Sequence, residues 1–240
     1  MEKFFNTAGP IIPEDHYYIP SFERIDWHEI QHLIAQKRYF LLHAPRQTGK
    51  TSALLEMMHA LNDGSEYISL YINVEPAQVS RNNIEAGIAT ICDVLAYMAE
   101  LYLQEERLII WKQDISTSIQ PEERLREMLS YWSRISHKPI VLFIDEADAL
   151  IGDTLVSLLR QIRSGYTQRP NAFPQSIVLC GLRDIKDYRI HISSGEIITG
   201  GSAFNIKSES FRMGNFSADD IRQLYLQHTQ TTGQVFEELI

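Results

Sequence analysis

An α/β fold, a parallel sheet sandwiched by helices, is predicted by three features of the sequence. Short, nearly all-apolar runs recur, as strands covered on both faces require; segments with helical apolar spacing alternate with them; and a glycine-bearing loop joins the first such run to an amphipathic helix. A chain of 240 residues, 44% of them hydrophobic, is long enough to bury such a core.

Taken in order, residues 1–25 carry Pro10, Pro13 and Pro20 among aromatics and read as an extended lead-in that wraps a surface. Asp26 with Glu29 predicts a helix start, and Ile30, Leu33 and Ile34 share one face of a helix running to about Lys37. Tyr39 to His43 is the first strand, Ser52 to Leu61 a helix stopped by Asn62-Asp63-Gly64, and Tyr67 to Val74 the second strand. A long helix is expected from about Asn82 to Arg107, then a polar connector, then a helix from Pro121 to about Ser136. Ile140 to Ile144 and Ser176 to Cys180 are the third and fourth strands, with a helix from about Asp153 to Ser164 between them. Tyr188 to Phe211, with Gly195, Gly200 and Gly201, reads as an excursion before a last strand near Phe204 to Met213. Ser217 with Asp220 forms a capping box, and Phe216 is placed to staple onto Ile221 at the start of a helix to about Thr231. The expected organisation is therefore a lead-in (1–25), a core (26–215) and the start of a helical lid (216–240), with the final Phe236 to Ile240 reading as the opening turn of a helix that either docks as a short tail or continues beyond the sequence.

Composition narrows the function. A net charge of −9 gives no global attraction to nucleic acid or anionic lipid, though a local basic patch remains open. Cys92 and Cys180 lie far apart with no second ligand pair, which argues against a zinc site or a disulfide framework, and both read as buried thiols. With no apolar run of signal-peptide length, the chain is expected to be soluble and cytoplasmic.

The chemistry concentrates at strand ends. Ala44-Pro45-Arg46-Gln47-Thr48-Gly49-Lys50-Thr51 matches the phosphate-loop pattern G-x-x-x-x-G-K-[ST], with alanine at the first glycine. Backbone N–H groups of Pro45-to-Ser52 residues other than the proline, together with the helix N-terminus, suit an anion; Gly49 permits close approach, Lys50 can reach β- and γ-phosphate oxygens, and the Thr51 hydroxyl can ligate Mg²⁺. Chance Gly-Lys-Thr triplets occur, but here a strand precedes and a helix follows. Ile140 to Ile144 runs straight into Asp145 and Glu146, and ionised carboxylates ending a buried strand need a partner. Asp145 is assigned to Mg²⁺ and Glu146 to activation of water; the alternative is a helix cap with a surface glutamate. After the fourth strand, Arg183 either senses the γ-phosphate or pairs with Asp184 at the surface. Arg160, Arg163 and Arg169 are either solvated charges or, in a homo-oligomer, candidates to act in trans.

Tyr18-Ile19-Pro20, Arg46 to Thr51, Asp145-Glu146 and Gly181-Leu182-Arg183 together resemble the AAA-like P-loop ATP-binding proteins carrying Arg-Gln-x-Gly-Lys-[Ser/Thr], related to origin-recognition-type AAA+ and signal-transduction ATPases. The resemblance implies a P-loop NTPase core, an adenine pocket shaped partly by Tyr18 and Ile19, an Asp145/Glu146 catalytic pair, an Arg183 sensor, and ATP with Mg²⁺ as ligands. It implies an ATPase; the alternative is a nucleotide-gated switch that binds a protein or DNA partner with little turnover. A small-molecule kinase would need an acceptor pocket and a lid arginine cluster, neither of which is apparent.

Overall fold

In the computed structural model, residues 3–114, 118–181, 189–191, 193–194, 197–199 and 207–236 are described. Helix α1 (Trp27–Ala35) leads into β1 (Tyr39–His43), followed by α2 (Lys50–Asp63), β2 (Ile68–Asn73), α3 (Ile84–Leu103), α4 (Arg107–Asp114), α5 (Pro121–Ile135) and β3 (Ile140–Asp145). Then come α6 (Gly152–Gly165), β4 (Ser176–Gly181), the short strands β5 (Arg189–His191) and β6 (Ile197–Thr199), β7 (Lys207–Arg212) and α7 (Ala218–Thr232).

Five strands form one sheet in the order β2-β3-β4-β1-β7, and every neighbouring pair is parallel. The order places β4 between the strand that carries the phosphate loop and the strand that ends in carboxylates. Parallel strands require crossovers, and the helices supply them on both faces. Side-chain alternation then divides the core. Tyr39 and Leu41, Leu70 and Ile72, Ile140, Leu142 and Ile144, and Ile177 and Leu179 face α3 to α6. Phe40, Leu42, Tyr71, Val141, Phe143, Val178 and Cys180 face α1 and α2.

Most of the expected elements stand within a few residues of their predicted bounds. One helix was expected where two exist: Gln104 takes a left-handed conformation (φ 55°) that ends α3, and α4 begins three residues later. Because a glutamine rather than a glycine occupies that terminator, the break left no mark in the sequence. Helix α3 is long and apolar enough to cross a bilayer by length and composition, but Ile88, Ile91, Leu95 and Ala99 are buried in the core. The excursion after β4 contains an antiparallel β5–β6 pair, which was not anticipated. The capping box at Ser217 and Asp220 is present. Phe216, in the turn before this helix, lies under the Arg24 guanidinium, 4.0 Å from ring centroid to Cζ.

Candidate functional site

The phosphate loop leaves β1 at Ala44, whose N–H donates to Gly181 O on β4 at 3.2 Å, and re-enters helix at Lys50. Its positive φ values fall on Gln47 (59°) and Gly49 (86°), not on Ala44, so alanine is accommodated at the position where the motif has glycine. The Thr48 hydroxyl donates to Pro45 O at 2.8 Å and closes the turn. Pro45, Arg46 and Gln47 are exposed at its crest, Thr48, Gly49, Thr51 and Ser52 are half-buried, and Lys50 is buried. The Lys50 ammonium donates to Ala44 O and Pro45 O, each at 3.2 Å, bending back over the loop it belongs to.

Asp145 ends β3 at 0% exposure. Its Oδ2 accepts from Thr51 Oγ1 at 2.8 Å and from the Tyr71 hydroxyl at 3.1 Å, and its Oδ1 accepts from the Glu146 N–H at 2.9 Å. Three donors compensate the burial of this carboxylate. The bond from Thr51 spans the inserted strand β4 and brings the loop and the acidic strand to one point. Glu146, half-buried, takes a left-handed backbone (φ 55°), a conformation costing a non-glycine residue roughly 1–3 kcal/mol. Burial pushes its carboxyl pKa up, assisted by the nearby charges of Asp145 and Asp148, while Lys50 pulls the other way. Lys50, Asp145 and Glu146 thus lie within one electrostatic neighbourhood.

A search of curated proteins returned no match. The family described as AAA domain matches residues 33–188, a span that contains the phosphate loop, Asp145 and Glu146. The chain belongs to the AAA domain family. Among solved structures, Cdc6p of Pyrobaculum aerophilum is similar with a TM-score of 0.55 at 17% identity, over 89% of this chain and 50% of that one. A Walker-type ATPase of Pyrococcus abyssi gives a TM-score of 0.60 at 14% identity, over 97% of this chain and 63% of that one. Drosophila ORC, solved bound to poly(dA/dT) DNA and Cdc6, gives 0.51 at 9% identity, over 86% and 31%. At these identities the similarity shows a shared P-loop AAA+ fold, and this chain spans less than two thirds of each of those chains.

Within this AAA domain, the residues fit a nucleotide with a hard divalent cation. Thr51 and Asp145 offer two adjacent oxygens, and among the described residues no group of three or more His, Cys, Asp or Glu converges on a protein-only cage. Such a pair suits Mg²⁺, which keeps waters and takes further ligands from phosphate oxygens.

Tyr18 and Ile19, assigned from the resemblance to the adenine pocket, pass between α2 and α7. The Tyr18 N–H donates to Gln227 Oε1 at 3.2 Å, its carbonyl accepts from Gln227 Nε2 at 2.9 Å, and the nearby Ser21 N–H donates to Glu56 Oε2 at 2.8 Å. Further back in the lead-in, the Ile11 N–H donates to Ser52 Oγ at 3.0 Å, beside the loop. Arg183 lies outside the described residues, as do Leu182 and residues 237–240. Arg169 donates to the carbonyls of Lys37 and Tyr166 and stacks on the Tyr166 ring, so it is engaged at the amino ends of the strands within its own chain.

Sequence reasoning missed three residues around the carboxylate. Tyr71 is paired with Phe143 in the β2–β3 register, so the period of two places it on the same face as Asp145. Burial and the Asp145 charge hold its hydroxyl protonated and able to donate. Cys180 also lies against Asp145, and burial followed by that charge raises its thiol pKa strongly. Asp148 packs on Gly181, where a Cβ would come within 2.5 Å of its Oδ1. The parity of Tyr71 was a usable signal, but only once the register between the two strands was known.

Proposed function

We propose that this AAA domain hydrolyses ATP to ADP and phosphate with Mg²⁺ and uses the cycle to change the placement of its last helix. The observation that carries the proposal is the 2.8 Å bond between Thr51 Oγ1 and Asp145 Oδ2, which unites loop and acidic strand beside Lys50.

The loop N–H groups and the N-terminus of α2 bind the phosphates, where helix partial charge favours an anion. Lys50 leaves the Ala44 and Pro45 carbonyls, both of which it shares through long bonds, for β- and γ-phosphate oxygens. Thr51 and Asp145 would hold Mg²⁺, which when bound would supply positive charge to offset that of the phosphates. Tyr71 and the Glu146 N–H fix the orientation of the Asp145 carboxylate. Glu146 accepts a proton from the attacking water and orients it toward the γ-phosphate. The lead-in around Tyr18 and Ile19 borders the nucleoside side. Adenine is favoured over guanine because the sequence contains no Asn-Lys-x-Asp segment for reading guanine.

The test is calorimetric titration of ATP and GTP with and without Mg²⁺, beside phosphate release, on wild type and Lys50→Ala. Wild type should bind Mg-ATP in preference to GTP and release phosphate, and Lys50→Ala should bind far more weakly and release none. Absence of heat with Mg-ATP would sink the proposal. Tight binding without phosphate release would recast the domain as a nucleotide-gated switch for a protein or DNA partner.

A further inference from the structure

Arg24 belongs to neither the phosphate loop nor the acidic strand, yet it touches the loop and the turn that launches the last helix. It follows a short 3-10 turn at Ser21–Glu23 in the lead-in and is 9% exposed. One Nη donates to the Thr48 carbonyl in the phosphate loop, and Nε and the same Nη donate to Gly214 O at 3.2 Å, between β7 and α7. The Gly214 N–H returns a bond to Arg24 O at 2.9 Å. The guanidinium lies over Phe216 in the same turn, and the Asp220 carboxylate in the first turn of α7 attracts it. On the loop side, a Cβ at Gly49 would sit 3.5 Å from the other Nη.

The two ends of a trans peptide point in opposite directions. An arginine that holds the Thr48 carbonyl therefore turns the Gly49 N–H to the far side of that peptide, away from Arg24. Five donors in a rigid fork allow one side chain to hold a loop carbonyl and a turn carbonyl at once, which an ammonium on a flexible stem does less well. Stacking on Phe216 adds a contact that depends on where the start of α7 sits.

We infer that Arg24 is a positioning residue that presents the Thr48–Gly49 peptide to the phosphates and ties the loop to the β7–α7 turn, so that nucleotide binding at the loop shifts α7. The inference rests on the proposed nucleotide site and extends it to a residue outside both motifs. Movement of the Thr48 carbonyl reaches α7 through a single buried cation, without passing through the sheet.

Hydrogen–deuterium exchange on the full chain, with and without saturating Mg-ATP, separates the two ideas. In wild type, ATP should slow exchange in residues 44–52 and alter it in residues 214–232. Arg24→Gln should bind ATP about tenfold more weakly. At saturation it should protect the loop while leaving α7 unchanged. Phe216→Ala, at a partly exposed ring, should keep ATP affinity within about twofold and shrink the α7 response. If Arg24→Gln fails to fold by circular dichroism, Phe216→Ala decides the matter, and an undiminished α7 response in it overturns the inference. A wild-type loop response with a silent α7, or an Arg24→Gln α7 response equal to wild type, overturns it while leaving the nucleotide site intact. Absence of any loop response overturns both.

Discussion

The tip of β3 and the junction between the lead-in and α7 both hold together segments remote in sequence, but with different materials. Asp145 is fully buried and receives donors from α2, β2 and its own neighbour at 2.8–3.1 Å. At the junction, Phe5, 37% exposed, meets Tyr17 at 5.0 Å and Tyr225, 38% exposed, at 5.9 Å between ring centroids. Beside them are the paired amide bonds of Gln227 with Tyr18 and the Tyr17–His228 contact at 3.2 Å. Breaking a buried polar bond strands a desolvated group, whereas the exposed Phe5 and Tyr225 rings and the half-buried Gln227 amide exchange their partners for water at lower cost, although Tyr17 between them is buried. The first arrangement suits chemistry that needs fixed geometry. The second suits an element whose position a ligand can bias.

Several changes would break or sharpen this contrast. The largest effect is expected at the loop: Lys50→Ala should weaken ATP binding on the order of 100-fold or more in calorimetry, with the fold intact by circular dichroism. Next is Glu146→Gln, which should lower phosphate release by about 100-fold while ATP affinity stays near wild type. Equal losses of both would mean that Glu146 serves binding rather than water activation. Tyr71→Phe removes one of three donors to Asp145. Its half-saturating Mg²⁺ concentration should rise about tenfold, with about 1 kcal/mol lost in urea denaturation. An unchanged Mg²⁺ dependence would show that Thr51 and the Glu146 N–H suffice to orient the carboxylate.

Effects at the junction should be smaller. Phe5→Ala should cost about 1 kcal/mol of stability and leave phosphate release unchanged, since its ring partners among the described residues, Tyr17, Tyr225 and His228, belong to the lead-in and α7. The last prediction concerns acid. The Asp220 carboxyl is held below its ordinary value of 3.8, first by the Ser217 backbone N–H and then by the Ser217 side chain. A depressed carboxyl contributes stability that is complete above the ordinary value and is lost as pH falls through the depressed one. Exchange in α7 should therefore rise below about pH 4, and Asp220→Asn should show faster exchange at neutral pH with a flatter acid response.

Much of this architecture was legible in the residues themselves. Apolar runs bounded by turn residues located the main strands, the Gly49-Lys50-Thr51 segment located the phosphate loop, and the two carboxylates after Ile144 announced a polar site at a strand end. These signals are local: a strand, a cap or a loop is specified by residues within a few positions of one another. The helix break at Gln104, the β5–β6 pair and the roles of Tyr71 and Arg24 were not legible, because each depends on conformations or partners that neighbouring residues do not encode.

By itself, then, the sequence determined the alternation of strands and helices and the chemical types available at each strand end. The tertiary structure alone decided that β4 enters between β1 and β3, which of two equally apolar faces of each strand receives α1 and α2, and that Thr51, Tyr71 and Asp145 meet. The physical reason is that strands buried on both faces look alike from either side, so their order and register are settled by packing and crossover geometry over the whole chain rather than by local pattern.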